Sequence, residues 1–293
     1  MSRSTAHLAL LLAAAFWGFG NISQKLVLDH IGPLSAVSLR CAIAAVAILP
    51  LAFFERQRAR WRGYWASILL VSAAFAVALC LQQAAYMSST VTNASFLVNT
   101  CTVLTPLMVW LWLREAPTFT VLYAALLTLA GVFLMSNGAF VPEAVNLGDF
   151  ACLASAFFYA VWMVALGRHA QTHGLPFTSA LLQFAMAGAA AFPFLLLEGP
   201  DFADVAAAAP NLAVLGLFTT AAAFGLQTYA QRYTTASKAA VIVSAESIFG
   251  AAGAMLALGE RPGTVVLAGA LLIFTAILIV ALPRGLFARR TQP

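Results

Sequence analysis

The sequence predicts an all-α integral membrane protein with ten transmembrane helices arranged as two inverted five-helix repeats. Three observations carry that reading. The 293-residue chain is 62% apolar and only 9% charged, whereas a soluble domain averages about 25% charged. Ten apolar segments are separated by turn residues. The second half also repeats the spacing of the first. So little charge cannot cover a water-facing surface, which excludes an ordinary soluble enzyme and a disordered chain. A bilayer core needs about 20 apolar residues per helix, so ten segments leave no room for a separate soluble domain.

The segments run near 6–28, 33–54, 64–86, 92–113, 118–136, 149–167, 177–197, 210–230, 237–257 and 264–282. The first follows Arg3, and its residues 8–15 imitate a signal peptide. The apolar run continues to Leu28, however, and is read as a span. The second and seventh open on Pro33 and Pro176, where a proline in the first turn loses no backbone donor. The third follows the basic run from Arg56 to Arg62, a topology anchor with Trp61 at headgroup level. The fourth carries Thr92, Ser95, Asn99, Thr102 and Pro106, whose three-and-four spacing makes one polar stripe. The fifth ends at Asn137-Gly138, the sixth at a loop over 168–175, and the seventh at Gly199-Pro200. The eighth is expected to start at Pro210. The ninth repeats the polar stripe with Ser237, Ala240, Ser244, Ser247 and Ala251, and the tenth follows Pro262-Gly263.

Orientation follows from the loops. With the N-terminus inside, Arg3, Arg56, Arg58, Arg60, Arg62, Arg114, Arg168, Arg232, Lys238, Arg284, Arg289 and Arg290 lie inside. The outer loops hold Asp29, Glu143, Asp149, Glu198, Asp201, Asp204 and, as their one cation, Arg261. That imbalance predicts cytoplasmic termini in a multi-pass inner-membrane protein. The net charge of +5 then reports orientation and lipid contact, with no nucleic-acid partner expected. The repeat shows in matched positions: Pro33 with Pro176, Pro50 with Pro193, Leu81-Gln82 with Leu226-Gln227, Glu115 with Glu260 and Pro117 with Pro262. Residues 1–140 and 141–293 are therefore read as two copies. An odd number of spans per copy gives them opposite orientations, an architecture of secondary transporters.

Ala15-Phe16-Trp17-Gly18, Leu39-Arg40-Cys41-Ala42, Leu113-Arg114-Glu115-Ala116-Pro117 and Leu258-Gly259-Glu260-Arg261-Pro262 together resemble the drug/metabolite transporter superfamily, EamA type. In the first copy Arg114 stands where that family usually has glycine, and Ala116 where it has arginine. The resemblance is nearest to bacterial exporters of aromatic and other amino acids. It implies a central cavity lined by segments one to four and six to nine, with five and ten peripheral.

No nucleophile elbow, zinc-binding His pair or phosphate loop is present, so an enzyme, a cofactor and a metal are not expected. Cys41, Cys80, Cys101 and Cys152 read as reduced core residues. Gly18 and Gly20 are either a weak point in the first helix or a close-packing site. Glu246 is the carboxylate nearest a mid-span position, a candidate for proton binding or for attracting a substrate ammonium; its structural alternative is an ion pair with Arg40 or Lys238. Arg40 could anchor a substrate carboxylate or pair with an acidic neighbour, and Lys25 is expected to snorkel outward. The substrate-binding candidates are Trp17, Gln83, Tyr86, Asn99, Tyr159, Trp162, Gln227 and Ser244. Aromatic rings with neutral amides suit a small amphipathic solute. The expected function is alternating-access export of small and aromatic amino acids by a monomer. The alternatives are a multidrug or other small-metabolite exporter and, with weaker support, a nucleotide-sugar or sugar-phosphate antiporter, which would need more cavity cations than Lys25, Arg40 and Lys238.

Overall fold

A computed structural model describes residues 3–55, 62–89, 91–136, 146–258 and 263–282. Among them every regular element is helical: α1 (Arg3–Leu26), α2 (Pro33–Phe53), α3 (Tyr64–Ala85), α4 (Val91–Asn99), α5 (Cys101–Leu113), α6 (Phe119–Met135), α7 (Leu147–His173), α8 (Pro176–Glu198), α9 (Phe202–Ala213), α10 (Ala223–Ala230), α11 (Ala236–Val243), α12 (Glu246–Leu258) and α13 (Thr264–Ala281). A 3-10 turn, Val27–Asp29, follows α1, and a π-helical stretch, Val214–Ala222, joins α9 to α10. Eight stretches are long and apolar enough to cross a bilayer, and Phe119–Met135 is a shorter apolar helix. Large apolar side chains such as Val46, Phe119, Leu256 and Leu271 are exposed around the outside, as a lipid-facing surface requires. The chain is a multi-pass helical membrane protein.

Several boundaries depart from the sequence reading. The fourth and ninth segments are each broken, at Thr100 and at Ser244-Ala245. In both breaks a hydroxyl turns back onto the carbonyl three residues earlier: Thr100 Oγ1 to Leu97 O and Ser244 Oγ to Val241 O, each 2.6 Å. Such back-bonding competes with the ladder and loosens the helix locally. The sixth helix runs on to His173, through the loop expected from 168. His169 explains the extension: it is buried, with one ring nitrogen 2.8 Å from Ser67 Oγ and the other 2.9 Å from Ser179 Oγ. The eighth segment starts upstream of Pro210 because Asp201 and Asp204 form a capping box at α9. Lys25 does not simply snorkel; its ammonium donates to the Tyr86 carbonyl at the end of α3. Arg114, at φ 56°, is the left-handed cap of α5, a position where glycine is the unstrained choice. The Leu258–Pro262 motif, Thr92 and Ser95, and most of the basic run before α3 lie outside the described residues or side chains.

Packing pairs elements across the two halves. The most extensive contacts join α2 to α8, α3 to α7, and α6 to α13. Under the repeat, α2–α8 and α6–α13 map onto themselves. The α3–α7 contact maps onto that of α1 with the π stretch and α10, which is also made. The α2–α8 pair is fastened at both ends by glutamates. Glu198 accepts from Leu34 N at 3.2 Å and Ser35 N at 2.7 Å. Glu55 accepts from Phe177 N at 3.4 Å, and from Thr178 N and Oγ1 at 2.9 Å. Each carboxylate fills the free donors at the other helix's N-terminus, where the helix dipole also favours it. Glu55→Ala and Glu198→Ala should each lower stability by about 1–2 kcal/mol. Because the two caps share no partner, the double variant should lose about the sum. Thermal unfolding in detergent measures both; a double variant no worse than either single would show the caps to be one coupled unit.

Candidate functional site

The helices line a partly open cavity, walled from α1, α2, α3, the α4–α5 break, α7, α10 and the α11–α12 break. α8 reaches none of it. Instead Gln183 of α8 accepts the Trp162 indole N–H at 2.7 Å from behind, so the seventh segment braces the wall rather than forming it. α6 and α13 also stay outside, packed on each other.

The charged groups have unexpected partners. Arg40 is 1% exposed. Its Nε donates to Thr220 Oγ1 at 2.9 Å, Nη1 to Gln24 Oε1 at 3.2 Å and Nη2 to Thr219 Oγ1 at 2.7 Å. These are neutral oxygens, and no acidic side chain pairs with Arg40 among the described residues. A guanidinium has five donors, so two N–H bonds remain. Glu246 opens α12 at the second break and accepts from Asn99 Nδ2, at the first break, across 3.0 Å. Neither the Arg40 nor the Lys238 ion pair considered for it forms among the described residues. The amide contact therefore stitches together the two repeat-related breaks.

The π stretch builds the Arg40 seat. The Ala223 N–H reaches past the usual register to Phe218 O, which releases the Thr219 carbonyl. Trp17 Nε1 donates to that carbonyl at 2.8 Å. Thr219 and Thr220 hydroxyls both donate to Leu215 O, at 2.9 and 2.7 Å, which points their lone pairs at Arg40. Close approach of α1 makes this possible. A Cβ on Gly20 would run into the Thr219 methyl of the π stretch. Gly18 allows the same closeness to α12, where a Cβ would meet Phe249 Cβ at 2.6 Å and Gly250 N at 2.7 Å, the close-packing role considered for it.

Trp17, Asn99, Tyr159, Trp162 and Gln227 line the cavity together with Arg40 and Glu246. Three candidates do not. Gln83 is fully buried and donates to the Gln24 carbonyl at 2.9 Å; its neighbour Gln82 lines the wall instead and accepts the Tyr159 hydroxyl at 2.7 Å. Tyr86 lies at the α3 end. Ser244 is spent on Val241 O, because a helical step of about 100° per residue cannot turn both Ser244 and Glu246 inward. Asn21, Gln24 and Phe224 were missed. Asn21 and Gln24 fall four and seven residues after Trp17, one helix face, and that spacing was a usable signal. Trp17, Trp162 and Phe224 form an aromatic group, with Phe224 4.8 Å from Trp17 and 5.5 Å from Trp162 between ring centroids. Toward the end that carries Arg168 and Lys238, a second opening is lined by α5, α7 and the start of α11.

The model of the EamA-like transporter family matches residues 4–137 and again 146–282. An uncharacterized transporter of Archaeoglobus fulgidus is 28% identical over 282 residues, covering 96% of this chain and 87% of its own length. A second uncharacterized transporter of that organism is 28% identical over 268 residues, covering 88% and 91%. A solved crystal structure superposes with TM-score 0.74 at 19% identity over 95% of this chain and 98% of its own, a likeness of fold.

Proposed function

The chain belongs to the EamA-like transporter family, and from that premise we propose that it exports amino acids, aromatic ones included, across the inner membrane by alternating access. One observation carries the reading: a buried guanidinium with no acidic partner among the described residues and a buried carboxylate line the same cavity. A zwitterion supplies both missing charges, its carboxylate toward the free donors of Arg40 and its ammonium toward Glu246. Each charge is costly at that depth unless matched. The rings of Trp17, Tyr159, Trp162 and Phe224 offer apolar surface to a side chain. A sugar phosphate would bring two negative charges to Arg40, the one cation that lines the cavity among the described residues. A lipophilic drug cation would suit the rings and Glu246, but Arg40 repels it.

Proteoliposomes containing the purified protein should exchange labelled tryptophan, phenylalanine or a small neutral amino acid by counterflow, and ignore nucleotide sugars. Robust exchange of a sugar phosphate with none of an amino acid would sink the assignment. We place both termini in the cytoplasm and take the working unit to be a monomer. Cysteines at Arg168 and Asp201 should then label from opposite faces of the cell membrane. Labelling of both from one side overturns that orientation.

A further inference from the structure

We propose that Gln227 is a specificity residue for the transported side chain: its unpaired amide oxygen accepts a hydrogen bond from a donor such as the indole N–H. This rests on the amino-acid reading above and adds to it a preference for side chains that carry a donor. The argument is an account of hydrogen-bond capacity around the cavity. The Trp17 indole is spent on Thr219 O, the Trp162 indole on Gln183, the Tyr159 hydroxyl on Gln82, and the Asn99 amide N–H on Glu246. Gln227 lines the same cavity and is 0% exposed. Its Nε2 is held by Met163 Sδ at 2.9 Å, which fixes the amide plane, while its Oε1 has no partner. A buried amide oxygen without a donor is costly, and this one sits one helical turn beyond Phe224, beside the aromatic group. Thr102 Oγ1 lines the cavity unpaired too. A hydroxyl both gives and accepts, so it does not discriminate; the amide oxygen only accepts.

The repeat makes the vacancy telling. Gln82 and Gln227 are the matched glutamines of the two copies. In the first copy the oxygen is satisfied by Tyr159 from α7. The stretch of α1 that corresponds to Tyr159 reads Ala14-Ala15-Phe16 and carries no hydroxyl. The second copy therefore lacks the internal donor that its twin has, and the substrate supplies it.

The probe pair is L-tryptophan and its isostere β-(3-benzothienyl)-L-alanine, in which sulfur replaces the indole N–H at nearly constant shape. In counterflow with the wild-type protein, tryptophan should be preferred by about tenfold, the scale of one buried donor left out. Gln227→Leu should bring the two within about twofold and keep the elution profile of the folded protein. Equal exchange of the pair by wild type overturns the proposal, even if Gln227→Leu fails to fold. Persistence of the tenfold preference in Gln227→Leu overturns it as well. Failure of wild type to exchange any amino acid instead removes the reading beneath it, an outcome distinct from equal exchange of the pair.

Discussion

Arg40→Gln should lower amino-acid exchange by at least about 100-fold, the largest effect expected of any single change in the cavity. Hydrogen bonds to a charged group contribute about 1.5–3 kcal/mol each, and a carboxylate can take two from the free guanidinium donors. Each 1.36 kcal/mol is a factor of about ten. The decisive comparison pairs an amino acid with its carboxamide. Wild type should discriminate strongly against the amide, and Arg40→Gln should treat the two almost alike. Glutamine can still reach one of the hydroxyls of Thr219 and Thr220, so the bundle is expected to fold with a lowered melting temperature. A variant that keeps the acid-over-amide preference would show that Arg40 holds α2 to the π stretch and nothing more.

Glu246→Gln comes next, with an expected loss of about 10- to 100-fold. Its own amide oxygen can still accept from Asn99, so the stitch between the two helix breaks survives while the negative charge goes. That separation makes the substitution informative. If the carboxylate faces the substrate ammonium, the variant should lose the preference for tryptophan over indole-3-propionate, which lacks the amine. Asn99→Ala does the reverse: it cuts the stitch and leaves the charge. It should lower melting temperature with a smaller effect on that preference. Retained discrimination in Glu246→Gln, with a lower melting temperature, would assign Glu246 to holding the breaks together.

The sequence carried the membrane architecture because composition, prolines and loop charges report directly on the bilayer. It carried the cavity in part. Trp17, Tyr159 and Trp162 are large rings with polar tips placed mid-span, and Asn99, Gln227, Arg40 and Glu246 are polar groups that hydrocarbon does not tolerate unmatched. Neighbouring positions were the difficulty. Gln82 and Gln83 are chemically identical and about 100° apart around α3, so only the packed structure decides which one faces inward. Thr219 and Thr220 were illegible for another reason. Their joint seat for Arg40 depends on a backbone register one residue wider than an α-helix, and nothing in Leu217-Phe218-Thr219-Thr220-Ala221 announces it. The helix breaks hide likewise in Thr100 and Ser244, residues that sit quietly in many unbroken helices.

The reciprocal glutamate caps of α2 and α8 bear on how the chain is built during synthesis. When α2 enters the bilayer, the carboxylate that completes its first turn lies 163 residues downstream and does not yet exist. Glu55 in turn has no helix start to meet until α8 arrives. The early spans must therefore wait in a provisional arrangement and settle only when the latecomer joins them from the opposite direction. Ribosome-bound chains halted before residue 198 should accordingly be far more open to protease than chains released whole, since neither half can finish itself without the other.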